Sequence, residues 1–137
     1  VAEVVSVLRV EEGHPVRGGT VKVLVCGSRD WPDDQVLWDA LSNFHREQPI
    51  GLVIHGGAYG ADSCAGLWCE RMDVRQEIHR PDYSRHPGHW APKARNIEML
   101  DEKPDLVIAF QRNGSRGTQH TINEARRRGI PVEVHTA

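Results

Sequence analysis

The chain has no apolar run approaching the length of a membrane span, and its hydrophobic fraction of 39% is low for a globular protein. No basic n-region followed by an apolar h-region opens it, so a soluble, cytoplasmic protein without a membrane partner is expected. Charge of one sign is missing too. Lys and Arg number 17 against 19 Asp and Glu, and the formal charge of -2 gives no overall attraction to DNA, RNA or acidic lipid. Cysteine is scarce. Cys26, Cys64 and Cys69 form neither a disulfide framework nor a C-x-x-C pair, and Cys26, closing an apolar run, reads as a small buried hydrophobe. Aromatic residues make up only 6%, so each one has to be assigned either to packing or to a binding surface.

A length of 137 residues suits one domain with its own core. Residues 1–20 read as an N-terminal strand or tail plus a polar connector with Pro15, and residues 21–137 as a single domain. The strand signal before the connector is a weak alternation over residues 4–10. The β-branched run 21–26 reads as a strand buried on both sides. Asp33-Asp34 is expected to cap a helix carrying Val36, Leu37, Leu41 and Phe44, which Pro49 stops. A strand over 51–55, a helix over 62–72 and a more exposed strand over 74–79 follow. After a Pro-, His- and Gly-rich connector (80–91), Pro92 is placed as the first residue of a helix carrying Ile97 and Leu100. Pro104 ends it before a strand over 105–110; a helix over 118–128 capped by Gly129 and a strand over 130–134 complete the chain. This alternation predicts an α/β fold, a mainly parallel sheet covered on both faces with right-handed crossovers.

Ligands of such sheets sit at the carboxyl ends of the strands, and the glycine turns fall there. The first strand runs into Gly27-Ser28-Arg29, the second into Gly56-Gly57-Ala58-Tyr59-Gly60-Ala61-Asp62, and 106–110 into Gly114-Ser115-Arg116-Gly117-Thr118. A strand feeding a helix through a small-residue turn exposes unpaired backbone N–H groups that hold an anion. The spacing is neither Gly-x-Gly-x-x-Gly nor a P-loop, since no Lys-Ser or Lys-Thr follows.

Gly27-Ser28-Arg29-Asp30, the Gly56-to-Asp62 turn, Arg95-Asn96 and Ser115-Arg116-Gly117-Thr118 together resemble the Rossmann-like SLOG superfamily, in its YspA-like or YpsA-related branch of small bacterial and phage proteins. The resemblance runs over residues 21–134 and implies a Rossmann-like three-layer α/β/α domain. The superfamily includes cytokinin-activating phosphoribohydrolases, a DNA-processing protein that binds single strands, and sensors of nucleotides derived from NAD; nucleotide-like or ADP-ribose-like ligands have been proposed for this branch. The hydrolase motif is Gly-Gly-x-Gly-Thr with a glutamate three residues on, and an arginine opens the preceding helix. Arg95 fits the arginine, but Thr121 stands where the glutamate belongs, and the nearest carboxylate on that helix is Glu124.

Candidate ligand-binding residues are Gly27, Ser28, Arg29, Gly56, Gly57, Ala58, Gly60, Ala61, Asp62, Arg95, Asn96, Ser115, Arg116, Gly117 and Thr118. Asp62, Glu124 and Arg95 are the catalytic candidates if the chain is an enzyme. Each has a plainer reading. Gly117-Thr118 is also an ordinary turn with an N-cap, Asp62 also a helix cap, and Arg29 also a partner for Asp30 or Asp33. Arg116 either covers a phosphate or points into solvent, and Asn96 either reads a base or ribose hydroxyl or bonds a neighbouring loop. His55 reads as a proton donor or as core. Tyr83, Trp90 and Trp31 are candidates for stacking on a base, and Trp38 and Trp68 for helix packing. His79, His86 and His89 lack cysteine or acidic partners at zinc spacing, so no metal is expected. Arg126-Arg127-Arg128 reads as a solvated helix end.

The expected function is binding of a phosphorylated nucleoside or ADP-ribose-like small molecule by a sensor or binding module, without a cofactor and with self-association into a homo-oligomer. The alternatives are cleavage of the N-glycosidic bond of a nucleoside 5'-monophosphate and binding of single-stranded nucleic acid, the latter disfavoured by the balanced charge.

Overall fold

A computed structural model of the chain describes the backbone of residues 2–4 and the whole of residues 19–137. Among these residues lie β1 (Ala2–Val4), β2 (Val21–Gly27), α1 (Asp34–Glu47), β3 (Ile50–His55), α2 (Ala61–Met72), β4 (Arg75–Ile78), α3 (Trp90–Asp101), β5 (Leu106–Gln111), α4 (Arg116–Arg127) and β6 (Val132–Thr136). The strand expected over 4–10 lies, apart from Val4, outside the described residues. Ala2–Val4 is the antiparallel edge strand beside β6.

The sheet order is β1-β6-β5-β2-β3-β4, and every pairing except β1–β6 is parallel. From β2 the chain moves outward to β3 and β4, then returns to the other side of β2 for β5 and β6. The order therefore reverses between β2 and β5, and a crevice opens at their carboxyl ends. This is the three-layer α/β/α architecture expected from the alternation of elements.

The two faces of the sheet carry separate cores. Val23, Val25, Ile108 and Phe110 pack with Leu37 and Leu41 of α1 and Trp68 of α2. Leu24, Val107 and Ala109 point the other way and pack with Met99 and Leu100 of α3 and Ile122 and Ala125 of α4. Burial on both sides is why β2 and β5 are nearly unbroken apolar runs. Lys22, the interruption, donates its ammonium to the carbonyl of Glu102.

Local chemistry sets the element ends. Asp33 caps α1 by accepting from Val36 N–H at 3.1 Å. The chain leaves α2 through Asp73, in the left-handed region at φ 56°. The third helix starts at Trp90, two residues ahead of the expected Pro92, which still falls in the first turn where a missing N–H costs nothing. The last helix also begins two residues early, at Arg116, so Gly117 and Thr118 lie inside its first turn. It ends through Gly129 at φ 75°, and Ile130 N–H returns to Ala125 O at 2.9 Å, which delays the last strand to Val132. No helix among the described residues is long and apolar enough to cross a membrane.

Candidate functional site

A cleft of about 370 Å³ opens where the strand order reverses. The end of β2 and the residues after it supply Cys26, Gly27, Ser28, Arg29 and Asp30; the β3–α2 loop supplies Ala58 and the first turn of α2 Asp62; α3 supplies Arg95 and Asn96; and the start of α4 supplies Ser115, Gly117 and Thr118. A second cleft of about 510 Å³ adjoins it, sharing Arg29, Ala58 and Arg95 and adding Gly56, Gly57, Tyr59, Arg80 and Tyr83. Most of the residues singled out from the sequence thus line one or both clefts. Gly60, Ala61, Arg116 and Glu124 line neither.

The glycines sort by what a side chain would meet. A Cβ on Gly27 would lie 2.5 Å from Ala61 Cβ and 2.6 Å from Phe110 O; one on Gly60 would lie 2.4 Å from the carbonyls of Ser28 and Arg29. At Gly56 it would run into the Arg95 guanidinium, and at Gly57, with φ +71°, into that of Arg80. Close packing against backbone and Cβ atoms accounts for Gly27 and Gly60, and the positive φ accounts for Gly57, whereas the obstacle at Gly56 is the end of a hydrogen-bonded arginine. Gly117 has no such reason: a Cβ there meets nothing within 4 Å, and the residue lies in a helix at the mouth of the cleft.

At the head of α4, Ser115 is the N-cap but makes no side-chain cap bond; its hydroxyl accepts from Thr118 Oγ1 at 3.2 Å. The N–H groups of Gly117 and Thr118, which a capping serine would satisfy, have no protein acceptor among the described residues. The Ser28 hydroxyl, in contrast, is committed, accepting from Arg112 N–H at 2.8 Å and donating to Arg112 O at 3.4 Å.

Asp62 is not the cap of α2; that position belongs to Gly60. Its buried Oδ2 accepts from Gly56 N–H at 3.1 Å and Ala58 N–H at 3.2 Å, so the carboxylate shapes the loop before its helix. Burial pushes its pKa up, opposed by the Ala58 N–H, His55, Arg95 and the Gly56 N–H. Burial also drives the Cys26 thiol far up, with Asp62 adding to the effect, so no thiolate nucleophile is present there.

The two arginines differ. Arg95 Nη1 donates to Gly56 O at 2.9 Å and His79 O at 3.3 Å, and Nε to Asn96 Oδ1 at 3.0 Å. Every buried polar side-chain atom among the described residues has a partner, so the unbonded Nη2 keeps contact with solvent. Burial lowers the Arg95 pKa, Asp62 raises it and Arg29 lowers it. Arg29 is exposed and makes no ion pair among the described residues, because Asp30 faces Arg112 at 3.6 Å. Asn96 is buried; its Nδ2 lies 3.4 Å from both Gly117 O and His120 Nδ1, bonding α3 to α4.

Glu124 sits outside the cleft, its carboxylate 2.8 Å from Arg127 Nη2 and 3.9 Å from Arg128 Nε. Thr121, at the position of the hydrolase glutamate, is buried on the cleft wall and donates to Gly117 O at 3.4 Å. His55 is buried, with Nδ1 accepting from Gly57 N–H and Nε2 paired with Gln76. Trp31 belongs to the core, edge-on to Phe110 at 5.4 Å, and Trp90 is exposed beneath Lys93. His79 groups with Glu77 and Glu102 rather than with His86 and His89, and both its ring nitrogens are held by glutamates. Tyr59, Arg80, Pro92 and Met99 are lining residues the sequence reading missed. Arg80 had a signal, since it follows a strand at the same sheet edge.

A model of the YspA, cpYpsA-related SLOG family matches residues 21–86. The gene 61 protein of Mycobacterium phage D29 is 44% identical over 117 residues, spanning 81% of this chain and 93% of that protein. Among solved structures, the X-ray structure of DNA processing protein A (DprA) from Streptococcus pneumoniae is similar with a TM-score of 0.53 at 14% identity. The match spans 82% of this chain and 58% of that one, and at this identity the likeness is one of fold.

Proposed function

This chain belongs to the YspA, cpYpsA-related SLOG family, and from that premise we propose that it binds a phosphorylated nucleoside or ADP-ribose-like compound in the cleft between β2 and β5. Membership carries a nucleotide-associated function at the level of the superfamily. The observation that carries the finer reading is the head of α4. Two first-turn N–H groups lack acceptors among the described residues, the N-cap hydroxyl is turned to another partner, and Gly117 leaves open space at the cleft mouth. A phosphate there accepts both N–H groups and faces the positive end of the helix dipole. Arg29, without an ion pair among the described residues, supplies charge from another wall of the cleft, and Nη2 of Arg95 adds a donor.

The geometry favours binding over cleavage. Asp62 Oδ2 is occupied with holding the loop amides, Asp30 is exposed and faces Arg112, and Glu124 is outside the cleft. The chain is accordingly read as a sensor or binding module.

AMP and ADP-ribose are expected to raise the melting temperature, since a ligand at a hundredfold excess over its Kd stabilises the native state by about 2.7 kcal/mol. Gly117→Val should abolish the shift. A Cβ at this position meets no protein atom within 4 Å, and valine is the better helix former, so the ligand-free protein should melt no lower than the parent. A melting curve that no phosphorylated nucleoside moves overturns the reading.

A further inference from the structure

We propose that the second cleft, lined by Tyr59, Arg80 and Tyr83, is the subsite for the nucleobase of the ligand whose phosphate lies at the head of α4. The assignment rests on the phosphate reading above and adds to it where the base goes and how it is recognised. The sequence contains two tyrosines, Tyr59 in the β3–α2 loop and Tyr83 in the β4–α3 connector. They are 84% and 56% exposed, yet both line this one cavity. Two rings brought from separate loops to one opening, and absent from either core, offer π-faces to a flat partner.

The cleft's charge points the same way. Arg29, Arg80 and Arg95 line it and no carboxylate among the described residues does, whereas Asp30 and Asp62 line the first. Arg80 is fixed by donating Nη1 to Gly57 O at 3.0 Å, across the left-handed Gly57 that permits this approach. Its planar guanidinium suits a base face or edge, and a cation over an aromatic ring adds attraction. Arg29, Ala58 and Arg95 belong to both clefts, so one ligand reaches from one to the other past the two arginines. The order along the ligand is therefore phosphate at Gly117 and Thr118, ribose beside Ala58 and Arg95, and base between the tyrosine loops. Recognition by ring faces is tolerant of base identity, and purines, with the larger face, are expected to bind tighter than pyrimidines.

Calorimetry with adenosine, AMP and ribose 5-phosphate on the full chain tests this. The double variant Tyr59→Ala, Tyr83→Ala should weaken AMP and adenosine by about tenfold or more, leave ribose 5-phosphate unchanged and melt like the parent. Phenylalanine at both positions should restore AMP binding. Equal losses for AMP and ribose 5-phosphate, or no loss for AMP, overturn the base subsite while leaving the phosphate site standing. Tyrosine-dependent binding of adenosine without any binding of ribose 5-phosphate would instead refute the phosphate reading and keep the base cleft. Wild-type protein that binds none of the three refutes both.

Discussion

Arg29 and Arg95 flank the same opening, but one is a free charge and the other a strut. Arg95 spans Gly56 O, His79 O and Asn96, so its loss unfastens the β3–α2 loop from the end of β4 as well as removing charge. Arg29 has no ion pair to lose among the described residues. A charged hydrogen bond is worth about 1.5 to 3 kcal/mol, or roughly tenfold to a hundredfold in affinity. Arg29→Ala should therefore weaken a nucleoside monophosphate by that factor, spare the free nucleoside and leave the melting temperature in place. Arg95→Ala should weaken binding and lower the melting temperature together. Calorimetry and thermal unfolding of the two variants check this, and a destabilised Arg29→Ala would show that its role is structural. The same distinction limited what could be read from residue types. The glycines of the first two turns look alike in sequence, yet Gly27 and Gly60 are required by Phe110 and Ser28, partners far along the chain, while Gly56 lies against the Arg95 guanidinium. Gly117 has neither such a partner nor a positive φ, unlike Gly114 in the same turn, whose φ of +61° favours glycine.

Between elements, β4 is tied to α3 by His79, whose Nε2 meets Glu77 at 2.6 Å and Nδ1 meets Glu98 at 2.7 Å. Burial alone lowers the His79 pKa, but Glu98 and Glu77 outweigh it and raise the value above the ordinary 6.5. The fold thus favours the protonated ring. Its stabilisation is complete below the unfolded pKa and is lost as pH rises through the higher folded value. The stability difference between the parent and His79→Gln should be largest near pH 6 and shrink towards pH 8.5, as urea unfolding at both values will measure. A difference that does not change with pH would mean that the ring acts by packing. Elements were legible where the signal was local: apolar runs gave β2, β3 and β5, and Asp33 with Pro49 bracketed α1. Boundaries shifted by two residues where the closing of a local turn decides. The heads of α3 and α4 begin two residues early because Pro92 fits inside a first turn, and because the turn before α4 closes at Ser115 N–H to Arg112 O.

At the scale of the whole molecule, topology decides where carboxylates stand relative to the crevice, and this bears on catalysis. The reversal between β2 and β5 brings the heads of α3 and α4 to one opening and sends the far ends of both helices to the opposite edge of the sheet. Glu124 is six residues beyond Thr118, about 9 Å along the helix at 1.5 Å per residue, and is paired with Arg127. A group that must come within about 3 Å of its proton-transfer partner cannot act from there. Asp62 is at the right edge of the sheet, but its Oδ2 holds two loop amides, which leaves Oδ1 alone to meet water, and Asp30, the other carboxylate lining the cleft, is exposed beside Arg112. Thr121 puts a hydroxyl where the phosphoribohydrolases put a carboxylate. The order of motifs was enough to recognise the family and the crevice; what the carboxylates do there depends on hydrogen bonds that spacing does not encode. The protein is therefore expected to bind AMP without releasing adenine. Chromatography of incubations at saturating AMP should show no free base above the uncatalysed background, and Glu124→Gln should bind AMP as the parent does. Turnover that vanishes in Asp62→Asn while binding persists would make Asp62 a catalytic residue and the chain a glycosidic-bond hydrolase.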